Sequence, residues 1–178
     1  PEALVSVATD DTRILDAVRH FGGNAVMTRS DHASGTDRIL EALATLDTHG
    51  DISCVVNVQG DEPLIRPERI RLAVDALSAR ADVHWSTLVY PLAAHAAVLN
   101  PNVVKVVLAH DNTALYFSRA AIPFDRDATG AARYFGHIGL YVYRIDALRQ
   151  FAAWPPGKLE QSEKLEQLRA LEHGLKIQ

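Results

Sequence analysis

Ile52-Ser53-Cys54-Val55-Val56-Asn57-Val58-Gln59-Gly60-Asp61-Glu62-Pro63 contains the most apolar short run of the chain and its abrupt end. The run is rich in β-branched residues and does not alternate polar with apolar. That is the pattern expected of a central parallel strand covered on both faces. Pro67 then opens a helix that carries Ile70, Ala73, Val74 and Leu77 on one side. Ligands of open α/β sheets gather beyond the carboxyl ends of the strands, which makes Gln59 to Glu62 a candidate site. Gly60 lets the backbone turn closely past a ligand, and the Asp61 carboxylate is a hard oxygen donor suited to Mg²⁺ bound to phosphate. A solvated acidic turn explains the same letters locally.

Toward the N-terminus, Leu4 to Ala8 reads as a strand, and Ile14, Leu15, Val18 and Phe21 as a helix ended by Gly22-Gly23. Ala25 to Met27 gives a second strand, and Ile39, Leu40, Leu43 and Leu46 a second helix. Ser34 with Asp37 three residues later marks the start of that helix and puts the Ser34-Gly35-Thr36 amides at its N-terminus. Beyond the Pro67 helix, strands are expected at Trp85 to Tyr90, Val103 to Leu108, Ala114 to Ser118 and His137 to Tyr143, with some antiparallel pairing. Helices follow at Asp146 to Trp154 and Glu160 to His173, then a stop at Gly174 and a final strand from Leu175. No repeat or linker divides the chain. The expectation is one α/β domain over residues 1–178, a three-layer α/β/α arrangement with a mixed, mainly parallel sheet.

With 178 residues and 48% hydrophobic content, the chain can bury a substantial core. A net charge of -4 with scattered Lys and Arg offers no basic stripe for a nucleic-acid backbone. Cys54 is the single cysteine, placed where a small buried hydrophobe would serve, and suits a reducing cytoplasm. No apolar stretch approaches bilayer length, so no membrane partner is expected.

Alternation along His137 to Tyr143 puts Ile138, Leu140 and Val142 on one face, and His137, Gly139, Tyr141 and Tyr143 on the other. The second face offers hydrogen-bonding tips around a glycine gap, which suits a polyhydroxylated ligand. A lone strand histidine is also a common structural residue. Arg119 supplies a planar bidentate donor for a carboxylate or phosphate, or else a surface ion pair. Glu166 and Gln167 lie on an amphipathic helix, where such residues are usually solvated, and Lys105 is open between a solvent and a phosphate contact. There is no zinc-like Cys/His spacing, nucleophile elbow or Walker-type loop.

Val56-Asn57-Val58-Gln59-Gly60-Asp61-Glu62-Pro63 resembles the central motif of the 3-deoxy-manno-octulosonate (Kdo) cytidylyltransferases. Met27 to Arg38 is similar to that family's nucleotide-side loop, and Asn100 to Val107 to its middle strand. Tyr116 to Ala120 with Ile122-Pro123, His137 to Tyr141, and Leu165 to Arg169 continue the series in the same order. The resemblance implies a nucleotide-diphospho-sugar transferase-like fold and a cytoplasmic, homodimeric, Mg²⁺-dependent enzyme. It would transfer CMP from CTP to the anomeric hydroxyl of Kdo, release pyrophosphate and supply CMP-Kdo for lipopolysaccharide. It implies that Asp61 holds the catalytic Mg²⁺, that Arg29, Ser34, Gly35, Thr36 and Arg38 line the CTP side, and that Gln59, Arg119, His137, Tyr141, Glu166 and Gln167 face the sugar. Arg38 also fits a solvated helix position. The family pattern further implies a triphosphate-binding loop ahead of Leu4 and a second metal-binding Asp after Gln178. Without them these residues are expected to bind CTP feebly and turn over negligibly. A related enzyme such as a CMP-sialic acid synthetase, and a nonenzymatic nucleotide-binding or assembly module, remain as alternatives.

Overall fold

The computed structural model describes residues 3–32, 34–60, 62 and 64–178. Asp61, the expected metal ligand, therefore lies outside the described residues. The chain divides between Ser53 and Cys54 into two compact units. Among the described residues no helix is long and apolar enough to cross a membrane.

In the N-terminal unit, β1 (Val7–Thr9) and β2 (Ala25–Met27) pair in parallel with Val7 opposite Ala25. They are joined by α1 (Thr12–His20), capped by the Asp11 side chain, which accepts from the Arg13 amide. α1 ends with Gly22 at φ 81°, a left-handed conformation that costs glycine little. α2 (Gly35–Leu46) follows, and Ser34 caps it as its spacing predicts: the Ser34 hydroxyl accepts from the Asp37 amide at 3.2 Å.

The C-terminal unit holds β3 (Cys54–Val58), α3 (Pro67–Ser78), β4 (Trp85–Leu92), α4 (His95–Leu99), β5 (Lys105–Leu108), β6 (Ala114–Ser118) and β7 (Tyr134–Arg144). α5 (Ile145–Ala152), α6 (Lys158–Glu163) and α7 (Gln167–Glu172) complete it. β7 is the hub, pairing antiparallel with β3, β4 and β5, while β5 pairs antiparallel with β6. Helices and strands are mixed as expected, but the sheet is not mainly parallel: β1 with β2 is the parallel ladder among the described strands. β3 correspondingly pairs only β7 among the described strands, and Cys54 is exposed rather than buried. No residue of β3 is fully buried and Val58 is exposed as well, so its run of β-branched residues has neither the two-sided cover nor the parallel partner its letters suggest.

Tyr141 pairs with both Asn57 of β3 and Thr87 of β4, so β3 and β4 flank β7 on opposite edges. β5 pairs Phe135 and Gly136, which also face β4, and so shares the β3 edge. β7 thus serves two neighbours in turn along one side. On the β4 side the ladder is displaced: Thr87 faces Tyr141, yet the next residue, Leu88, faces Ile138 instead of Leu140. Gly139 has no ladder partner among the described strands. A bulge of this kind bends the strand and re-aims its side chains.

Core packing follows the predicted alternation. Leu140 and Val142 are buried with Leu88 of β4 and with Ala73 and Leu77 of α3, and Ile138, Val56 and Ile70 pack against them. On the other face Trp85 meets Tyr143 edge-on at 4.7 Å and Phe151 of α5 at 4.8 Å. The expected helix from Glu160 to His173 is two short helices, separated where Lys164 takes φ 54°. Arg169 closes the break with two bonds to the Glu160 carboxylate, at 2.7 and 2.6 Å, and its guanidinium covers the Phe151 ring at 4.3 Å. Burial, the largest single influence, raises the Glu160 pKa, but the Arg169 bonds, the Gly157 amide and the Arg169 charge together outweigh it and hold this carboxyl below its usual value.

Candidate active site

The polar face of β7 brings several of the sequence candidates together. His137, Gly139, Tyr141 and Tyr143 alternate along it, with ring centroids 5.3 Å apart for His137 and Tyr141 and 5.8 Å for the stacked Tyr141 and Tyr143. Gln59, just beyond β3, lies over the glycine gap: a Cβ on Gly139 would come within 3.4 Å of its Oε1. Asn57 reaches the Tyr143 hydroxyl at 3.4 Å. Phe117 packs edge-on against the His137 ring at 5.1 Å, and burial pushes the imidazole pKa down to about 4. The ring is therefore neutral near neutral pH. Burial also pushes the Tyr141 phenol well above its usual range, with Tyr143 and the Glu166 carboxylate adding to the effect. Tyr141 is thus a hydroxyl at working pH, able to donate and to accept.

Glu166 and Gln167 mark the start of α7, and Gln167 is buried rather than solvated. Arg119 holds the preceding turn in place. Its Nε donates to the Glu163 carbonyl at 2.7 Å, its other nitrogens reach the carbonyls of Lys164 at 3.4 Å and Pro101 at 3.0 Å, and its amide donates to the Glu163 carboxylate at 2.8 Å. The guanidinium is thereby engaged by backbone. Lys105, read from sequence as facing solvent or phosphate, is fully buried, and its Nζ donates to the carbonyls of Asn100 and Arg119. Burial lowers its pKa.

In the N-terminal unit, the α2 start presents the Ser34 cap and Gly35, with Thr36 buried. Arg38 is not solvated: it contacts the Thr28 hydroxyl at 2.5 Å and the Asp10 carboxylate at 3.1 Å, tying α2 to the ends of β1 and β2. Arg29 pairs with Asp31 at 3.0 Å, and its amide donates to Glu41 at 3.2 Å. His32 also bonds Glu41, and that bond, helped by the Arg29 amide, holds the Glu41 carboxyl below its usual value. Arg29, Asp31, His32 and Glu41 line a depression with Asp37 and Leu40, whereas Ser34, Gly35, Thr36 and Arg38 are not part of its lining.

Two contributors escaped the sequence reading. Glu41 follows Asp37 at i+4, a spacing that puts both on one helix face and could have disclosed it. Thr87, whose hydroxyl lies 2.9 Å from His137 Nε2, has no local signal, because only the β4–β7 register brings the two together.

A model of the cytidylyltransferase family matches residues 2–177. The 3-deoxy-manno-octulosonate cytidylyltransferase of Syntrophobacter fumaroxidans is 52% identical over 172 residues, spanning 96% of this chain and 68% of its own. This chain belongs to the 3-deoxy-manno-octulosonate cytidylyltransferase family. The Rhodopseudomonas palustris member is likewise 52% identical, over 97% of this chain and 70% of its own. A solved CMP:2-keto-3-deoxy-manno-octonic acid synthetase complexed with CTP superimposes with a TM-score of 0.92 at 41% identity, over 99% of this chain and 70% of that one. Its mixed helices and strands are compatible with the α/β nucleotidyltransferase fold of that structure, and the β7 wall lies within the part the two share.

Proposed function

We propose that the chain transfers CMP from CTP to the anomeric hydroxyl of Kdo, releasing pyrophosphate and giving CMP-Kdo for lipopolysaccharide. The reaction is direct attack of that hydroxyl on the α-phosphorus and needs no covalent enzyme intermediate, so the protein mainly aligns and polarises its reactants. The observation that carries this reading is the Gln59–Gly139 approach beside His137 and Tyr141. A wall of neutral hydrogen-bonding tips around a missing side chain fits a sugar better than a hydrophobic ligand. Gln59, His137, Tyr141, Glu166 and Gln167 bind the sugar hydroxyls, and Arg119 supports them by fixing the turn before α7.

On the N-terminal unit, Arg29, Ser34, Gly35, Thr36 and Arg38 take the nucleotide side. The Asp37 carboxylate, accepting the Ser34 hydroxyl at 3.0 Å, offsets part of the positive end of α2. Amide donors beside a carboxylate acceptor match the mixed edge of a cytosine better than a bare phosphate.

No three His, Cys, Asp or Glu side chains form a metal-holding group among the described residues. Mg²⁺ commonly needs only one or two carboxylates with substrate phosphates and water, so Asp61 alone on the protein side is compatible with it. Bound there, the ion would polarise the phosphate oxygens and ease ionisation of the attacking hydroxyl. Helices against both faces of the β7 sheet support the three-layer plan of nucleotide-diphospho-sugar transferases. We also take the enzyme to be cytoplasmic and homodimeric, as the resemblance implies.

The test is pyrophosphate release with Mg²⁺, CTP and Kdo each omitted in turn, together with Asp61→Asn. Release that requires all three and is lost in Asp61→Asn, with the circular dichroism spectrum unchanged, is expected. Equal release without Kdo, or with a sialic acid in its place, would overturn the assignment.

A further inference from the structure

Thr87 of β4 faces Tyr141 across the ladder, on the side of the sheet that carries His137. Its Oγ1 has three polar neighbours: the Leu140 carbonyl at 2.7 Å, the Ile138 carbonyl at 3.2 Å and His137 Nε2 at 2.9 Å. A hydroxyl owns one proton, and both carbonyls can only accept. The shortest contact, to Leu140, takes that proton. The contact to His137 is then a hydrogen bond only if Nε2 carries hydrogen and donates to Thr87. The opposite arrangement, Thr87 donating to Nε2, would leave two carbonyl oxygens facing the hydroxyl oxygen with no proton between them. The displaced ladder at Thr87 and Leu88 brings this about, because it sets the hydroxyl between two carbonyls of β7.

We infer that Thr87 fixes His137 as its Nε2–H tautomer, so that Nδ1 is left as a bare acceptor that selects a hydroxyl group of the sugar. This rests on the sugar-side role proposed for His137. Among the described residues Nδ1 has no hydrogen-bond partner, the ring's bond being the one from Nε2 to Thr87, and His137 is partly exposed, which leaves Nδ1 for a ligand. Phe117 and Tyr141 pack the ring in place. The low pKa of the imidazole keeps it neutral and the assignment meaningful near neutral pH. Thr87 is a positioning residue: it sets which ring nitrogen can accept. An acceptor at that point welcomes a hydroxyl and repels a carbonyl or carboxylate oxygen, which orients a ligand bearing both.

Long-range proton–nitrogen NMR of histidine-labelled protein near neutral pH reads this directly, with a His137→Gln sample to assign the signal. The expected spectrum shows His137 protonated at Nε2 and bare at Nδ1. Thr87→Ser keeps that spectrum, whereas Thr87→Val shifts population to the Nδ1–H form. Kdo titration in the presence of CTP should weaken about tenfold in Thr87→Val, the loss of one hydrogen bond, and hold in Thr87→Ser. A wild-type His137 protonated at Nδ1, or a tautomer unmoved by Thr87→Val, overturns the inference. If the valine variant does not fold, the wild-type and serine spectra decide it. A Thr87-dependent tautomer whose resonances ignore Kdo overturns the sugar role of His137 and leaves the proton assignment standing.

Discussion

The Gln59 side chain lies against Gly139, and a Cβ on that glycine would stand 3.4 Å from Gln59 Oε1, an ordinary van der Waals contact. Gly136, three residues earlier on the same strand, is different: a Cβ there would fall 2.5 Å from the Tyr90 ring. One glycine leaves room for a ligand, and the other receives a neighbour's ring.

Gly139→Ala is therefore expected to leave unfolding free energy within about 0.5 kcal/mol of the parent. Its methyl group should lower Kdo affinity by about tenfold or more. Gly136→Ala should show the reverse, costing about 1–3 kcal/mol as the Tyr90 ring is displaced, with sugar affinity of the folded fraction kept. Urea denaturation and titration calorimetry on the two variants separate these outcomes.

Arg119 spreads its guanidinium over the carbonyls of Pro101, Glu163 and Lys164, a span that a lysine ammonium cannot reproduce. Arg119→Lys keeps the charge yet should loosen the turn between α6 and α7. Amide hydrogen exchange from Lys164 to Leu168 is expected to accelerate, with Kdo affinity falling alongside it. Lost affinity with unchanged exchange would instead favour a direct guanidinium contact with the sugar acid.

Burial lowers the His137 pKa from 6.5 to about 4, so between those values the unfolded chain binds the extra proton and the folded one does not. Stability contributed by the neutral ring is fully present above about pH 6.5 and is lost as the pH falls through about 4. The difference in unfolding free energy between the parent and His137→Gln should shrink across that window and level off below it. Denaturation at a series of pH values checks the slope and its sign.

Local chemistry made much of this molecule readable in advance. The Ser34 cap, Pro67 at the first turn of α3, the Gly174 stop and the two faces of β7 all follow from neighbours in sequence, and all appear as expected. Long-range pairing supplied the rest. β3 has the letters of a central parallel strand, yet it is only half-buried and its described partner is the antiparallel β7, because β-branched letters record strand propensity and neither burial nor direction. Lys105 looked like a surface residue because lysines usually are; its burial depends on two carbonyls, of Asn100 and Arg119, that converge only after folding. The break at Lys164 carries no signal in the sequence because Glu160 to His173 contains neither glycine nor proline, and the Arg169–Glu160 pair that bridges the break is visible only in three dimensions. The motifs named Gln59, His137 and Tyr141, which the structure brings together beside Gly139, but Thr87 belongs to no motif and is placed there by register alone.

The displaced rungs between β4 and β7 add two residues to β7, an even number, and parity is what keeps His137 and Tyr141 looking the same way. Deleting or inserting a single residue at Gly139 would turn the imidazole toward Ala73 and Leu77 and bring Ile138 to the rim. Gln59, His137 and Tyr141 would all still be present in such a chain, and the wall they form would be gone.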